Sequence, residues 1–271
     1  MKLSISPAQV ELVIKPGVTV TQAFNIQNLS DSPQIVSASI LPWLPQGPDG
    51  SVSYDSVPTP PGIYFALNNS NIDLNRPFRL QPNQVQQLVL KISSDQSLSP
   101  ADTYYTFFVS QNQSANLGGN STSISARIGA HLLLSFSQNQ NTPLSTTHTL
   151  YVSPSIKDIF LTPLIFSGQI NNNSGFFTKA QGQIIISKNN LEISRLTLAP
   201  DNVLAHSSRS LRCLDPDKNP SPCLLKPPFW PGAYTATTAQ SSVNFYILPL
   251  SPLLLLLLII FVLFFKKKNS K

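Results

Sequence analysis

Apolar residues recur along this chain at short, strand-like intervals, and each run stops at a cluster of proline, glycine, asparagine or serine. A period near two places alternate side chains on opposite faces of a strand, so the pattern predicts many short strands joined by tight turns. Leu3 to Ile14 carries the recurrence, Lys15-Pro16-Gly17 makes a turn, and VTVTQAFNIQN resumes the β-prone pattern as far as Asn28. Asn28 to Pro33 is polar, and Gln34 to Leu41 (QIVSASIL) alternates again. Pro42 to Pro61 is dominated by proline, glycine and aspartate and predicts a loop long enough to be functional or mobile. Phe78-Arg79-Leu80, a turn at Gln81-Pro82-Asn83, and strands over Val85 to Ile92, Thr103 to Ser110 and Ile124 to Phe136 complete the first half. That makes about seven strands, the number expected of an immunoglobulin-like sandwich.

Asn139 to Thr147 is polar and turn-rich and reads as a boundary. Beyond it, strands are expected at Thr149 to Val152, Leu164 to Asn171, Phe177 to Ser187, Leu191 to Leu198, Val203 to Leu211 and Ala233 to Thr238. No helical period is sustained between Pro143 and Ala239. The expected fold is therefore all-β. It has two immunoglobulin-like β-sandwich domains in tandem, residues 1–138 and 148–242 with a linker at 139–147, followed by one transmembrane α-helix. Phe24, Phe107, Phe136 and Phe166 are expected to fill the cores, since one face of each strand must be buried.

The pattern changes at the C-terminus. Residues 245–265 read FYILPLSPLLLLLLIIFVLFF, without a charge and with an unbroken apolar run from Leu253. At 1.5 Å per residue, about 20 residues cross a hydrocarbon layer of roughly 30 Å. Phe245 and Tyr246 would mark one boundary of this anchor and Phe265 the other, with Pro249 and Pro252 in the first turns. Lys266, Lys267 and Lys268 then open a basic tail at 266–271, and no lysine or arginine lies between Lys226 and Lys266. The positive-inside rule places that tail in the cytoplasm and the domains outside, in a single-pass protein of the cell membrane. Met1-Lys2-Leu3-Ser4 leads straight into strand-like sequence, so the expectation is a signal peptide upstream of the given start. The alternative is insertion by the tail with the domains kept in the cytosol.

Composition sharpens this picture. A chain of 271 residues is long enough for two cores, and 24 prolines with only 11% charged residues disfavour long soluble helices. The formal net charge of +6 comes largely from the terminal lysines, which leaves a nearly neutral body and argues against nucleic-acid binding. Cys213 and Cys223 flank the turn-forming LDPDKNPSP. Outside the cell they would form a disulfide, and inside it a pair of thiols; a metal site would need further ligands, and His206 stands alone.

Chemistry for catalysis is sparse, with 12 acidic residues and 3 histidines. His131, His148 and His206 fall in different predicted elements, and no GxSxG, Walker or GxGxxG pattern occurs. Asp215 and Asp217 read as a solvated turn, and Gly118-Gly119 as a hairpin or mobile loop. Asn-x-Ser/Thr sequons at Asn28, Asn68, Asn112, Asn120 and Asn172 carry meaning only in a glycosylating pathway. No catalytic residue, metal ligand or cofactor site is assigned, and the chain does not read as an enzyme.

Ser6-Pro7, Pro16-Gly17, the strand closing on Asn28, Leu80-Gln81-Pro82-Asn83 before VQQLVLKI, Tyr104-Tyr105 and Arg127-Ile128 together resemble the N-terminal domain of periplasmic pilus chaperones. Those chaperones hold a subunit carboxylate with an arginine in the first strand and a lysine in the last. Here residues 3–14 lack arginine, and Gly129 follows Arg127-Ile128. Over most of its length the chain also resembles the WxL-interacting proteins of Gram-positive surfaces, through SGQINNNS at 167–174, Ile184 to Ser187, VLAHSSR at 203–209, Pro231-Gly232-Ala233-Tyr234, the apolar segment and the lysine tail. That resemblance implies a membrane-anchored surface protein that contacts peptidoglycan, another cell-wall polymer or an exported protein. The alternative is an assembly chaperone for exported subunits that acts by strand addition, retained at the lipid bilayer.

Overall fold

The computed structural model describes residues 2–55, 57–117, 120–137, 145–158, 163–226, 230–253, 257 and 259–260. The chain divides into two units: Met1–Gln46 with Ser51–Pro143, and Gly47–Gly50 with Leu144–Lys271. Among the described residues the first is built from strands, and the second from strands with a helical turn at 250–253.

In the first unit the strands are β1 (Leu3–Ser6), β2 (Gln9–Ile14), β3 (Val20–Asn28), β4 (Gln34–Pro42), β5 (Leu44–Gln46) and β6 (Ser51–Ser53). They continue as β7 (Ile63–Leu67), β8 (Pro77–Leu80), β9 (Val85–Ser94), β10 (Ala101–Leu117) and β11 (Asn120–Phe136). One sheet has the order β1-β3-β9-β7 and the other β2-β11-β10-β4-β8. A cis peptide at Ser6-Pro7 separates β1, antiparallel to β3, from β2, parallel to β11, so the first strand changes sheets. Alternate residues face inward: Phe24 stacks on Phe107 with centroids 4.9 Å apart, and Phe65 meets Tyr105 edge-on at 4.7 Å. Burial pushes the Tyr105 phenol up to about 12.

The second unit opens with β12 (Thr146–Ser153), β13 (Ile156–Asp158), β14 (Leu164–Asn172), β15 (Thr178–Lys179), β16 (Gln183–Lys188) and β17 (Leu191–Thr197). It ends with β18 (Asn202–Val203), β19 (Ser208–Ser210), β20 (Cys213–Leu214), β21 (Pro220–Ser221), β22 (Cys223–Leu225), β23 (Gly232–Thr237) and β24 (Ser242–Leu248). One sheet is β12-β14-β19, with β22 also on β14, and the other is β13-β24-β23-β16-β17. The opening repeats that of the first unit: β12 is antiparallel to β14, a cis Ser153-Pro154 follows, and β13 runs parallel to β24.

A second device is repeated. Asn28, at the end of β3, is fully buried. Its side-chain N–H groups donate to the carbonyls of Ser32 (2.9 Å), Gln81 (3.0 Å) and Leu80 (3.4 Å), and its oxygen accepts from the Ser30 N–H (3.0 Å) and hydroxyl (2.7 Å). Asn172, at the end of β14, donates to Phe176, Val203 and Leu204 at 2.7, 3.0 and 3.1 Å. Its oxygen accepts from the Ser174 N–H (3.0 Å) and hydroxyl (2.6 Å). Each buried amide ties carbonyls from two loops to the end of its strand and leaves none of its own polar atoms unpaired.

Several expectations change. The stretch 42–61 is not a bare loop, because β5 and β6 pair within it. β7 lies where no strand was expected. Phe177 to Ser187 divides into β15 and β16, with Gly182 at a φ of +121° between them. The strands of the second unit begin at Thr146, inside the expected linker, and run to Leu248, past the expected end at 242.

The largest correction concerns the expected helix at 245–265. Phe245 and Tyr246 belong to β24: Phe245 is fully buried between Phe166 (5.7 Å) and Tyr234 (5.4 Å), and Tyr246 pairs with Ala233 and Ile156. A segment that alternates buried and exposed side chains while hydrogen-bonding two neighbours is held as a strand by the core it completes. Residues 250–253 are helical, with the Leu253 N–H donating to the Pro249 carbonyl at 3.2 Å. Among the described residues no helix is long and apolar enough to cross a membrane. Phe265, Lys266, Lys267 and Lys268 lie outside the described residues.

Candidate functional site: an open strand edge

β10 and β11 form one hairpin in unbroken register from Ala101 opposite Phe136 to Leu117 opposite Asn120. Their neighbours are shorter. β4 pairs only with Tyr105 to Gln111 of β10, and β2 only with His131 to Phe136 of β11. Upstream of His131, no strand among the described residues pairs with the outer side of β11.

The direction of the free backbone groups follows from the paired part. The His131 N–H donates to the Ala8 carbonyl (2.9 Å) and the Ser137 N–H to the Ile14 carbonyl (3.1 Å), both on the β2 side. Backbone groups in a strand alternate sides with period two, so those of Arg127 and Gly129 point to the same side, where no strand among the described residues pairs with them. The sequence alternates Thr122, Ile124, Ala126, Ile128 and Ala130 with Ser121, Ser123, Ser125, Arg127 and Gly129. Ile128 packs against the sandwich core.

A cluster of aromatic residues stiffens this edge on the opposite face of the sheet. Trp43 follows β4, donates its backbone N–H to the Tyr104 carbonyl at 3.0 Å, stacks its ring on that of Tyr104 at 5.0 Å and meets His131 edge-on at 5.2 Å. Tyr54, just past β6, lies 5.4 Å from Phe108 and hydrogen-bonds Thr106 at 2.8 Å. Thr106 in turn contacts His131 Nδ1 at 3.0 Å. Burial lowers the pKa of His131, which favours a neutral imidazole in this network. The Arg127 guanidinium sits 4.4 Å over Phe108 and 5.6 Å from the Tyr54 ring. Gly129 makes room for this packing, since a Cβ there would lie 2.5 Å from Thr106 and 2.9 Å from Phe108.

The other sequence-predicted residues fall elsewhere. Cys213 and Cys223 form a disulfide buried in the second core. Asp215 closes the turn within the disulfide loop, accepting from the Asn219 N–H at 2.7 Å. His148 lies on β12 and His206 in a turn with φ of +52°, so the three histidines do not converge. Among the described residues, no group of three or more His, Cys, Asp or Glu side chains is placed to hold a metal. Asn28 and Asn172 are buried locks rather than accessible acceptors, and Gly118-Gly119 lies outside the described residues. An open cleft of about 630 Å³ lies on the second unit, between Tyr151, Ile165, Arg212 and the Pro220 to Pro222 arm of the disulfide loop. The bidentate pairing of Arg212 with Asp201, 2.7 Å at Nε, occupies the one guanidinium there.

No protein-family model matches the chain, and no curated protein matches it. Among solved structures it is similar to the class 5 fimbriae chaperone CfaA, at 11% identity and a TM-score of 0.45, over 91% of this chain and 99% of that one. It is similar to the E. coli chaperone DraB at 14% identity and 0.41, over 90% and 96%. A Salmonella enterica complex of the SafA pilin with the SafB chaperone matches at 14% identity and 0.40, over 90% and 94%. These likenesses are faint and extend to fold alone; they give no support to the WxL-interacting family or to peptidoglycan binding. The strand order itself defines an all-β chain of two immunoglobulin-like sandwiches.

Proposed function

We propose that this chain is a non-enzymatic binding and assembly protein that captures an extended segment of an exported partner by strand addition along β11. The unpaired backbone groups of Arg127 and Gly129 carry this reading. An open strand edge offers a ladder of donors and acceptors, and an added strand satisfies them while its side chains supply specificity. The aromatic cluster beneath Arg127 holds the edge in shape, so little ordering is needed on binding. The edge geometry favours an exported protein over a wall polymer, because a glycan cannot continue a β-ladder.

The localisation belongs to the same proposal. The apolar run beyond β24 serves as a membrane anchor, with the lysine tail in the cytoplasm and both sandwiches outside.

Arg127→Pro tests the function. It removes an edge donor while leaving the β10 ladder intact, whereas Arg127→Ala removes only the side chain. Co-expression with candidate exported subunits, read as subunit half-life and co-purification, should show retention at least about tenfold lower for the proline variant than for the alanine variant. Equal retention by both would reject strand addition at this edge.

A further inference from the structure

Along the solvent face of the β13-β24-β23 sheet the chemistry changes within a few residues. At one end Thr237 stands opposite Ser242 and Thr235 opposite Asn244, with Thr235 and Asn244 hydrogen-bonded at 2.9 Å. The next row is Ala233, Tyr246 and Ile156 side by side, and Leu248 lies beyond it. Tyr246 is 48% exposed, Ile156 54% and Leu248 37%. Trp230, just before β23, is 83% exposed, although its backbone is held: its carbonyl accepts from the Tyr234 hydroxyl, and the neighbouring Pro231 carbonyl accepts from Lys188 Nζ at 2.9 Å. A polar face thus turns apolar and aromatic at the end where the chain leaves the sandwich.

The departure itself is fixed. Ser251, in the first helical turn after Leu248, donates its N–H to Asp158 of β13, and its hydroxyl donates to the same carboxylate at 3.1 Å. That carboxylate satisfies a donor that a helix start leaves open.

With 245–248 committed to β24, the apolar run left for a helix is 250–265, which spans only about 24 Å at 1.5 Å per residue. A hydrocarbon layer of roughly 30 Å exceeds that reach, so a bilayer spanned by it would draw the preceding residues into its interface. Tryptophan and tyrosine are the side chains that the headgroup layer favours.

We infer that Ile156, Trp230, Tyr246 and Leu248 form an interfacial collar that seats the second sandwich in the headgroup layer of a bilayer. The inference rests on the membrane-anchor reading above. The collar and the Asp158 contact together set the angle at which this domain stands on the membrane.

Trp230 reports on the collar directly, and Trp43, only 3% exposed, serves as an internal reference. The full chain is reconstituted in vesicles of phosphatidylcholine and phosphatidylglycerol carrying a nitroxide near the headgroup or deep in the acyl chain. The shallow nitroxide should quench Trp230 emission at least about twofold and the deep one far less. A Trp230→Phe chain, in which only Trp43 emits, should be almost unaffected. If Trp230 is unquenched in a chain that resists carbonate extraction, the collar is wrong and the anchor stands. Quenching in a chain that carbonate strips supports the collar and sinks the anchor. Extraction without quenching overturns both.

Discussion

The two sandwiches begin alike and are closed differently. Each sends its first strand across two sheets at a Ser-Pro step, and each ties the end of its central antiparallel strand with an Asn-x-Ser lock. Beyond these shared devices, the first unit has a hairpin of two seventeen-residue strands and a wide aromatic core, whereas no described strand of the second exceeds nine residues, four have only two, and a disulfide is buried in its core. Short strands form few ladder hydrogen bonds, so a covalent link between β20 and β22 supplies order that pairing alone does not. The lesson is that one connectivity tolerates two routes to a closed core, provided the loop carbonyls at the strand ends are satisfied.

The two asparagine locks carry the largest expected effect. Asn28→Ala and Asn172→Ala should each cost their own unit about 2–4 kcal/mol, since all the hydrogen bonds of a buried amide that joins two loops are lost at once. Hydrogen exchange resolved by unit would show it, and a marked inequality would mean that the two locks are not equivalent. Next comes the disulfide. The bridge joins residues 10 apart, and its reduction should destabilise the second unit by about 3 kcal/mol while leaving exchange in the first unchanged.

Two glycines sharpen the contrast at smaller scale. A Cβ at Gly168 would meet the Thr149 backbone carbonyl, which cannot yield, so Gly168→Ala should cost the second unit about 2–3 kcal/mol. At Gly129 the obstacles are side chains that can shift, and Gly129→Ala should cost the first unit about 1 kcal/mol in chemical denaturation.

The smallest effect is on pH dependence. Burial lowers the pKa of His131 in the first unit and His148 in the second from 6.5. The unfolded chain therefore takes up those protons first, so stability is full above about pH 6.5 and declines as the pH falls below it. His131→Gln should flatten the slope between pH 7 and 5 for the first unit alone.

How much of this was legible varies with the residue. QIVSASIL and VQQLVLKI alternate cleanly and form β4 and β9 within a residue or two of the expected bounds. NFYIL did not read as a strand because its outward positions, Tyr246 and Leu248, are apolar too, which erases the period-two signal and merges the strand with the leucine run behind it. The same two residues are the ones left exposed at the collar. The locks were written as sequons, each an asparagine that is the last residue of a strand, with serine two residues later. The open edge of β11 had no local signature, since its openness depends on where β2 and β4 stop.

Composition and alternation, which are properties of neighbouring residues, were enough to determine the all-β class, two cores and a cysteine pair spaced for a turn. What only the tertiary structure decided was which strands change sheets, which asparagines are buried, where the last strand ends, and which edge is left without a neighbour. Those facts depend on contacts between residues far apart in the chain, and a local pattern carries no information about the partner that fails to arrive.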